Sequence, residues 1–329
     1  MTLGVKMQRR IFLQMFSASL LAVSGGRALR GKSRSILGLP PGEKLPRRPL
    51  GRTGESLSII GLGGMVLSGE EQETANGIVR EAVGHGINYF DVAPSYGNAE
   101  DRMGPALKPF RDGVFLACKT LKRDKAGADE ELSQSLLKLQ TDHLDLYQLH
   151  ALTTLEEVKQ ALGPDGAMET FLQARKDGRI RFIGFSAHSE EAALLAMKEF
   201  DFDTVLFPVN FVCVLKAGFG PQVIAAAKEK KMGILALKAL ARQPWPEGSA
   251  RKDWPKCWYE PILDPEEAAL AFRYTLTQPV TAAVPPGDVR LFKKALALAH
   301  GYSPLSPGDE ARVREIASDL NPLFPLKPA

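Results

Sequence analysis

Four side chains in this sequence stand where short apolar runs end. Asp91 closes the run in FDVAPSYGNAE and Tyr96 follows five residues on; Lys119 closes VFLACK and His150 closes LDLYQLH. Together an acid, a phenol, an amine and an imidazole can manage a proton at a carbonyl oxygen. A free tyrosine titrates near 10 and is a poor acid at neutral pH. A neighbouring ammonium favours the phenolate and lowers that value, and a carboxylate keeps the ammonium charged. Histidine orients the oxygen that receives the proton, or helps to pass it on. Such a group stabilises negative charge developing on oxygen. It has no source of electrons, so the hydride that completes such a reaction must come from a bound cofactor. Each residue also has an ordinary reading: a strand-terminal Asp caps a following helix, a lysine snorkels, a histidine caps a loop. Lys119 alone would equally suit Schiff-base chemistry.

The elements that must position these residues follow a regular rhythm. Apolar runs at 57–62, 87–91, 114–119, 144–149, 180–185, 204–207, 234–238 and 281–284 read as strands. Amphipathic stretches at 71–85, 99–107, 129–139, 167–176, 190–199, 221–231, 265–276 and 289–299 read as helices. Ser189 before two glutamates, Pro221, and the pair Asp264-Pro265 are helix start signals. Strands alternating with helices imply a parallel sheet with helical crossovers. Eight such units in about 250 residues favour a closed (β/α)8 TIM barrel, an α/β fold, over a doubly wound sheet. A further helix is expected at 309–320. No G-x-G-x-x-G follows any strand; GLGGM at 61–65 has the glycines without the spacing, so a Rossmann site is poorly supported. In a barrel the strand C-termini converge on one mouth, where the four residues would meet. The stretch 242–261 holds Trp245, Trp254, Trp258 and Tyr259 and is long for a βα loop. It reads as a lid or an aromatic wall of that mouth.

The 329 residues carry a net charge of +4, with arginines concentrated in the first fifty, and 44% are hydrophobic. No nucleic-acid face is implied. Cys118, Cys213 and Cys257 are widely spaced, which argues against a metal cluster or a disulfide framework. MQRRIFLQMFSASLLAVSGG, from Met7, has the layout of a signal peptide. Its Arg9-Arg10, followed by Ile11, Phe12, Leu13 and Gln14, resembles the twin-arginine (Tat) export signal. The segment 1–46 is expected to be signal and linker, and 47–329 the barrel with its tail. The address this implies is the periplasm, reached through the Tat machinery, or the cytoplasm if the signal is not used.

From about Pro49 to Ala299 the sequence resembles the aldo-keto reductase family, (β/α)8 barrels that use NAD(P)H to interconvert carbonyls and alcohols. LGRTGESLSIIGLGGM resembles the family's N-terminal hairpin and first strand; FDVAPSYGNAE carries D-x-A-x-x-Y-G; LACKT and YQLHA carry its lysine and histidine; IRFIGFSAHS resembles its fifth strand. The resemblance implies that Tyr96 donates the proton, Lys119 tunes it, Asp91 pairs with Lys119, and His150 positions the carbonyl of a small-molecule substrate. It implies cofactor contacts at Gly63, Gly64, Asp91 and Ser186. Further contacts are implied at Asn210, Lys238, Pro285 and Gly287, in a stretch where the pattern is altered. Leu206 stands in place of a glutamine, Leu237 in place of a ring-stacking tyrosine, and Pro286 and Gly287 in place of the 2′-phosphate-gripping pair. NADP(H) is therefore expected narrowly over NAD(H), with no metal. A cofactor-binding regulatory subunit of low activity is the alternative.

Overall fold

A computed structural model describes residues 35–39, 44–249 and 251–325; the twin-arginine segment lies outside them. A hairpin opens the barrel body: β1 (Arg47–Pro49) pairs antiparallel with β2 (Ser56–Ser58). The barrel strands then follow as β3 (Leu62–Gly63), β4 (Tyr89–Asp91), β5 (Phe115–Thr120), β6 (Leu144–Leu152), β7 (Ile180–Ala187), β8 (Thr204–Pro208) and β9 (Gly233–Leu237). After a second hairpin, β10 (Ala241–Pro244) with β11 (Tyr259–Pro261), β12 (Ala282–Val284) is the eighth. All neighbouring barrel strands are parallel, in the order β12-β9-β8-β7-β6-β5-β4-β3. The two ends of this sheet meet. Ile60 bridges Ala283, Gly61 N–H donates to the Ala283 carbonyl at 3.0 Å, and Ala283 N–H donates to Ile59 at 2.9 Å. The expected first strand, 57–62, is thus divided between hairpin and barrel, and the bend is fixed by Ser58, whose hydroxyl donates to the Ile60 carbonyl at 2.7 Å.

Helices α1 (Gln72–Gly84), α2 (Ala99–Leu107) and α3 (Lys125–Leu139) follow β3, β4 and β5. Two helices follow β6, α4 (Leu155–Leu162) and α5 (Ala167–Lys176); α6 (Glu190–Glu199) follows β7; α7 (Phe211–Ala217) and α8 (Pro221–Glu229) follow β8. The outer ring is completed by α9 (Pro265–Thr277) and α10 (Val289–His300), with α11 (Pro307–Asp319) outside the repeat. The start signals act as expected: Ser189 accepts from Ala192 N–H, and Asp264 accepts from Glu266 and Glu267 N–H with Pro265 at the first turn. The short helix α4, not foreseen, is held by a capping box between Thr154 and Glu157. The chain joins the barrel body before the expected boundary at residue 46. Glu81 on α1 accepts from Ile36 and Leu37 N–H and from the Ser35 hydroxyl, and Leu37 is buried.

The β1–β2 hairpin lies across the N-terminal end of the barrel. Leu50 and Leu57 pack with Tyr89, Phe115, Leu146 and Leu235 in the barrel interior. That floor closes the barrel interior from the N-terminal end. Gly233 is needed there for space: a Cβ on it would stand 2.4 Å from Leu50 Cδ1. Gly233→Ala is therefore expected to destabilise the barrel by about 1–3 kcal/mol through overpacking. Adding Leu50→Ala should make the pair less destabilised than the sum of the two single changes, because the truncated residue vacates the clash. Denaturant unfolding of the four proteins measures this, and strictly additive losses would show that the floor is not in contact with Gly233.

Candidate active site

The strand period of two carries the chemistry to one face. Tyr89 and Asp91 on β4 point the same way, as do Gln148 and His150 on β6. Lys119, next to last on β5, is wholly buried, and Asp91 almost so. The Lys119 ammonium donates to Asp91 Oδ1 and, at 3.0 Å, to the Val92 carbonyl. The other carboxylate oxygen, Asp91 Oδ2, accepts from the Tyr89 hydroxyl at 3.1 Å and from Gln148 Nε2 at 3.3 Å. Asp91 is thus held on three sides. Tyr96, in the loop between β4 and α2, places its ring with the Lys119 nitrogen 4.9 Å from the centroid. His150 meets that ring edge-on at a centroid distance of 5.7 Å.

The electrostatics follow from burial and from these neighbours. Burial alone would lower the pKa of Lys119, but Asp91 and then Tyr96 outweigh it and the net shift is upward. Lys119 is therefore a persistent ammonium, unsuited to Schiff-base formation. The Tyr96 phenol differs from the expectation of a net lowered pKa. Burial raises it, Lys119 pulls it down, Asp91 opposes Lys119, and the balance lies above the usual value. The phenol consequently stays protonated at neutral pH while a cation waits beside it. Burial, then the positive charge of Lys119, pulls His150 down to about 2, so its imidazole is neutral and its Nδ1 has no partner among the described residues.

His150 is held through its backbone. Arg123 donates to the His150 carbonyl at 2.7 Å and pairs with Glu157 at 3.1 Å. Ala151, left-handed at φ 55°, donates its N–H to Ser186 Oγ at 2.7 Å. The register of β6 on β7 shifts between Leu149 and Leu152, so the two hydrogen bonds pin the irregular strand end that presents the imidazole.

These groups share a cavity of about 270 Å³ at the C-terminal end of the strands. Of the residues expected to touch a cofactor, Gly63, Asp91, Ser186, Lys238, Pro285 and Gly287 line it. Two do not. A Cβ on Gly64 would come within 2.6 Å of Val92 Cγ2, so this glycine serves close packing. Asn210 is buried as the N-cap of α7: its Oδ1 accepts from Val212 and Cys213 N–H, and its Nδ2 donates to the carbonyls of Lys238 and Ala241. Its side chain is spent on the backbone and leaves nothing for a carboxamide. Leu206, Leu237 and Val284 supply an apolar wall, suited to a flat heteroaromatic ring beside polar Ser186.

The stretch 242–261 forms the lid expected of it in part. Trp258 and Tyr259, beside and on β11 respectively, line the cavity; Trp245 instead donates to the Cys257 carbonyl at 2.9 Å, and Trp254 packs under Arg290 at 3.8 Å. Lys256 ties the lid to the loop after β3 through Glu70 at 3.1 Å. Phe324, beyond α11, stacks on His188 at 5.3 Å and closes the same side. His188, two residues past Ser186 and also lining the cavity, carries no signal of its own in the sequence.

The Aldo/keto reductase family model matches residues 59–256. Among curated proteins, the uncharacterized oxidoreductase YqkF of Bacillus subtilis is 35% identical over 155 residues, which are 43% of this chain and 48% of that protein. The aldo-keto reductase YhdN of the same organism is 31% identical over 209 residues, 58% of this chain and 60% of its own length. The alignments thus span about half to three fifths of these relatives. Among solved structures, a putative aldo-keto reductase from Pseudomonas aeruginosa superposes with a TM-score of 0.63 at 26% identity, covering 79% of this chain and 96% of that one. The holo form of aldo-keto reductase AKR11C1 from Bacillus halodurans gives 0.65 at 24% identity, covering 86% and 98%, a likeness of fold. With the family match running through the strands that carry Asp91, Lys119 and His150 and the loop that carries Tyr96, this chain belongs to the aldo/keto reductase family.

Proposed function

We propose that this protein is a nicotinamide-dependent oxidoreductase that interconverts a small carbonyl compound and its alcohol, with Tyr96 as the general acid and base. The observation that carries this reading is the buried contact of Tyr96 with the Lys119–Asp91 pair beside a neutral His150. When bound, a nicotinamide nucleotide supplies or accepts the hydride. The residues of the chain manage the oxygen. His150, uncharged, offers an N–H to the carbonyl oxygen and polarises it without competing as an acid. Tyr96 Oη gives its proton to the oxygen as negative charge develops there. Lys119 stabilises the phenolate that remains, and Asp91 holds Lys119 charged and in place. In the alcohol-to-carbonyl direction the phenolate takes the proton back. The apolar wall and the lid exclude water from the developing charge, which strengthens each of these interactions.

The choice between NADP(H) and NAD(H) rests on residues that grip, or do not grip, a 2′-phosphate. Of the basic residues that open α10, Arg290 bonds Asp288 and the Asp253 carbonyl, Lys294 donates to the carbonyls of Ile262 and Leu263, and Lys293 is exposed. The family resemblance favours NADP(H); these engaged cations support NAD(H) as an equal candidate. The export reading also belongs to this proposal. A twin-arginine signal suits a protein that acquires its cofactor before it leaves the cytoplasm.

Tyr96→Phe is expected to lower single-turnover hydride transfer by about 10²–10⁴-fold, the usual scale for a positioned general acid, while nucleotide still quenches tryptophan fluorescence. Unchanged turnover would remove Tyr96 from its role, and lost quenching in a folded variant would make it a binding residue. Replacing Arg9 and Arg10 together with lysine should retain the protein in the cytoplasm of a host with a working Tat system. Equal appearance of both forms in the periplasm would refute the signal, and absence of both would refute export.

A further inference from the structure

Lys238 sits just past β9 at φ 69°, a left-handed conformation that strains any residue with a Cβ and that glycine adopts freely. The strain is held by design of the neighbourhood. Asn210 Nδ2 donates to the Lys238 carbonyl at 3.0 Å and to the Ala241 carbonyl at 2.7 Å, and Ala241 N–H returns to the Lys238 carbonyl at 3.1 Å. A buried asparagine is thus committed to keeping a lysine, rather than a glycine, in a strained turn at the cavity wall. Its ammonium lies 4.9 Å from the Trp258 ring centroid and 5.0 Å from that of Tyr259. Among the described residues no carboxylate pairs with it, whereas Lys119 has Asp91 and Lys256 has Glu70. Two other polar groups of the cavity, His188 and His150, each carry a buried ring nitrogen without a partner among the described residues.

We propose that Lys238 is an anion-binding group of the active-site cavity, receiving a phosphate or carboxylate oxygen that Trp258 and Tyr259 cover from the lid. The cavity then holds two cations with separate tasks: Lys119, neutralised by Asp91, tunes the phenol, and Lys238 awaits charge brought by a ligand. The strained backbone is retained because a side chain is needed there, as strain at functional turns generally is. Burial pulls the free amine down to about 8, and an arriving anion would restore full charge to it. The anion has two sources with the same chemistry, the diphosphate of a dinucleotide or an acidic group on the substrate. Both sources rest on the proposed nicotinamide-dependent reaction.

The test compares wild type with Lys238→Gly, which relieves the strained turn, and Lys238→Arg, which keeps the charge. Titration with inorganic pyrophosphate needs no turnover and therefore stands apart from the catalytic reading. If the diphosphate is the ligand, Lys238→Gly loses at least tenfold in affinity for pyrophosphate and for NADPH, with Lys238→Arg close to wild type and the melting temperature of the glycine variant not lowered. If the substrate brings the anion, nucleotide affinity is unchanged and the preference for 4-carboxybenzaldehyde over benzaldehyde in kcat/KM falls by at least tenfold. Affinities and preference that stay within twofold across all three proteins would overturn the proposal.

Discussion

A lysine and an aspartate shut away from water side by side are the constraint around which this barrel mouth is arranged. Each charge alone would cost several kcal/mol to bury, and the pair is tolerable only where geometry and further hydrogen bonds satisfy what the ion pair leaves over. Here the remaining needs are met locally: Tyr89 and Gln148 serve the second oxygen of Asp91, and the Val92 carbonyl takes a second Lys119 proton. Three adjacent strands must therefore keep register to better than one residue, since a slip of one would turn these side chains to the opposite face. The floor formed by Leu50 and Leu57 and the closure between Ile60 and Ala283 serve that register.

From this pair the rest of the site takes its sense. Burial, reinforced by the Lys119 cation, holds the neighbouring imidazole of His150 neutral, and the phenol of Tyr96 feels a pull toward ionisation from Lys119 that its own burial resists. A protonated phenol poised against a cation is a proton donor that does not leak its proton to water. In the proposed reaction the hydride comes from a bound nucleotide, and the apolar wall of Leu206, Leu237 and Val284 beside Ser186 would receive its nicotinamide ring. The lid, tied by Lys256 to Glu70 and by Trp254 under Arg290, gives that wall its cover.

Much of this was legible in the chain because strand ends announce themselves. Asp91, Lys119, His150 and Ser186 each follow a compact apolar run, and the structure brings all four to one cavity. Tyr89 and Gln148 were open to the same reading, two residues upstream of Asp91 and His150 on the same strand face, but a polar residue inside an apolar run gives no direction by itself. Gly64 and Asn210 stand apart from the cavity because a glycine and an asparagine serve backbone packing and capping as readily as ligands, and only coordinates show Val92 against the one and the α7 N–H groups on the other. The net rise in the Tyr96 pKa could not be foreseen, since it depends on how far the walls of the cavity shield the phenol from water. Short elements such as α4, α7 and the β10–β11 hairpin have too little periodicity to stand out from loops.

The most direct test of the central pair is a double-mutant cycle on single-turnover hydride transfer with Asp91→Asn, Lys119→Met and both together. If Asp91 acts only by keeping Lys119 charged and aimed at the phenol, the double variant loses no more rate than Lys119→Met alone. Losses that multiply would show the two residues working independently, and the account of a phenol governed by one buried ion pair would be wrong.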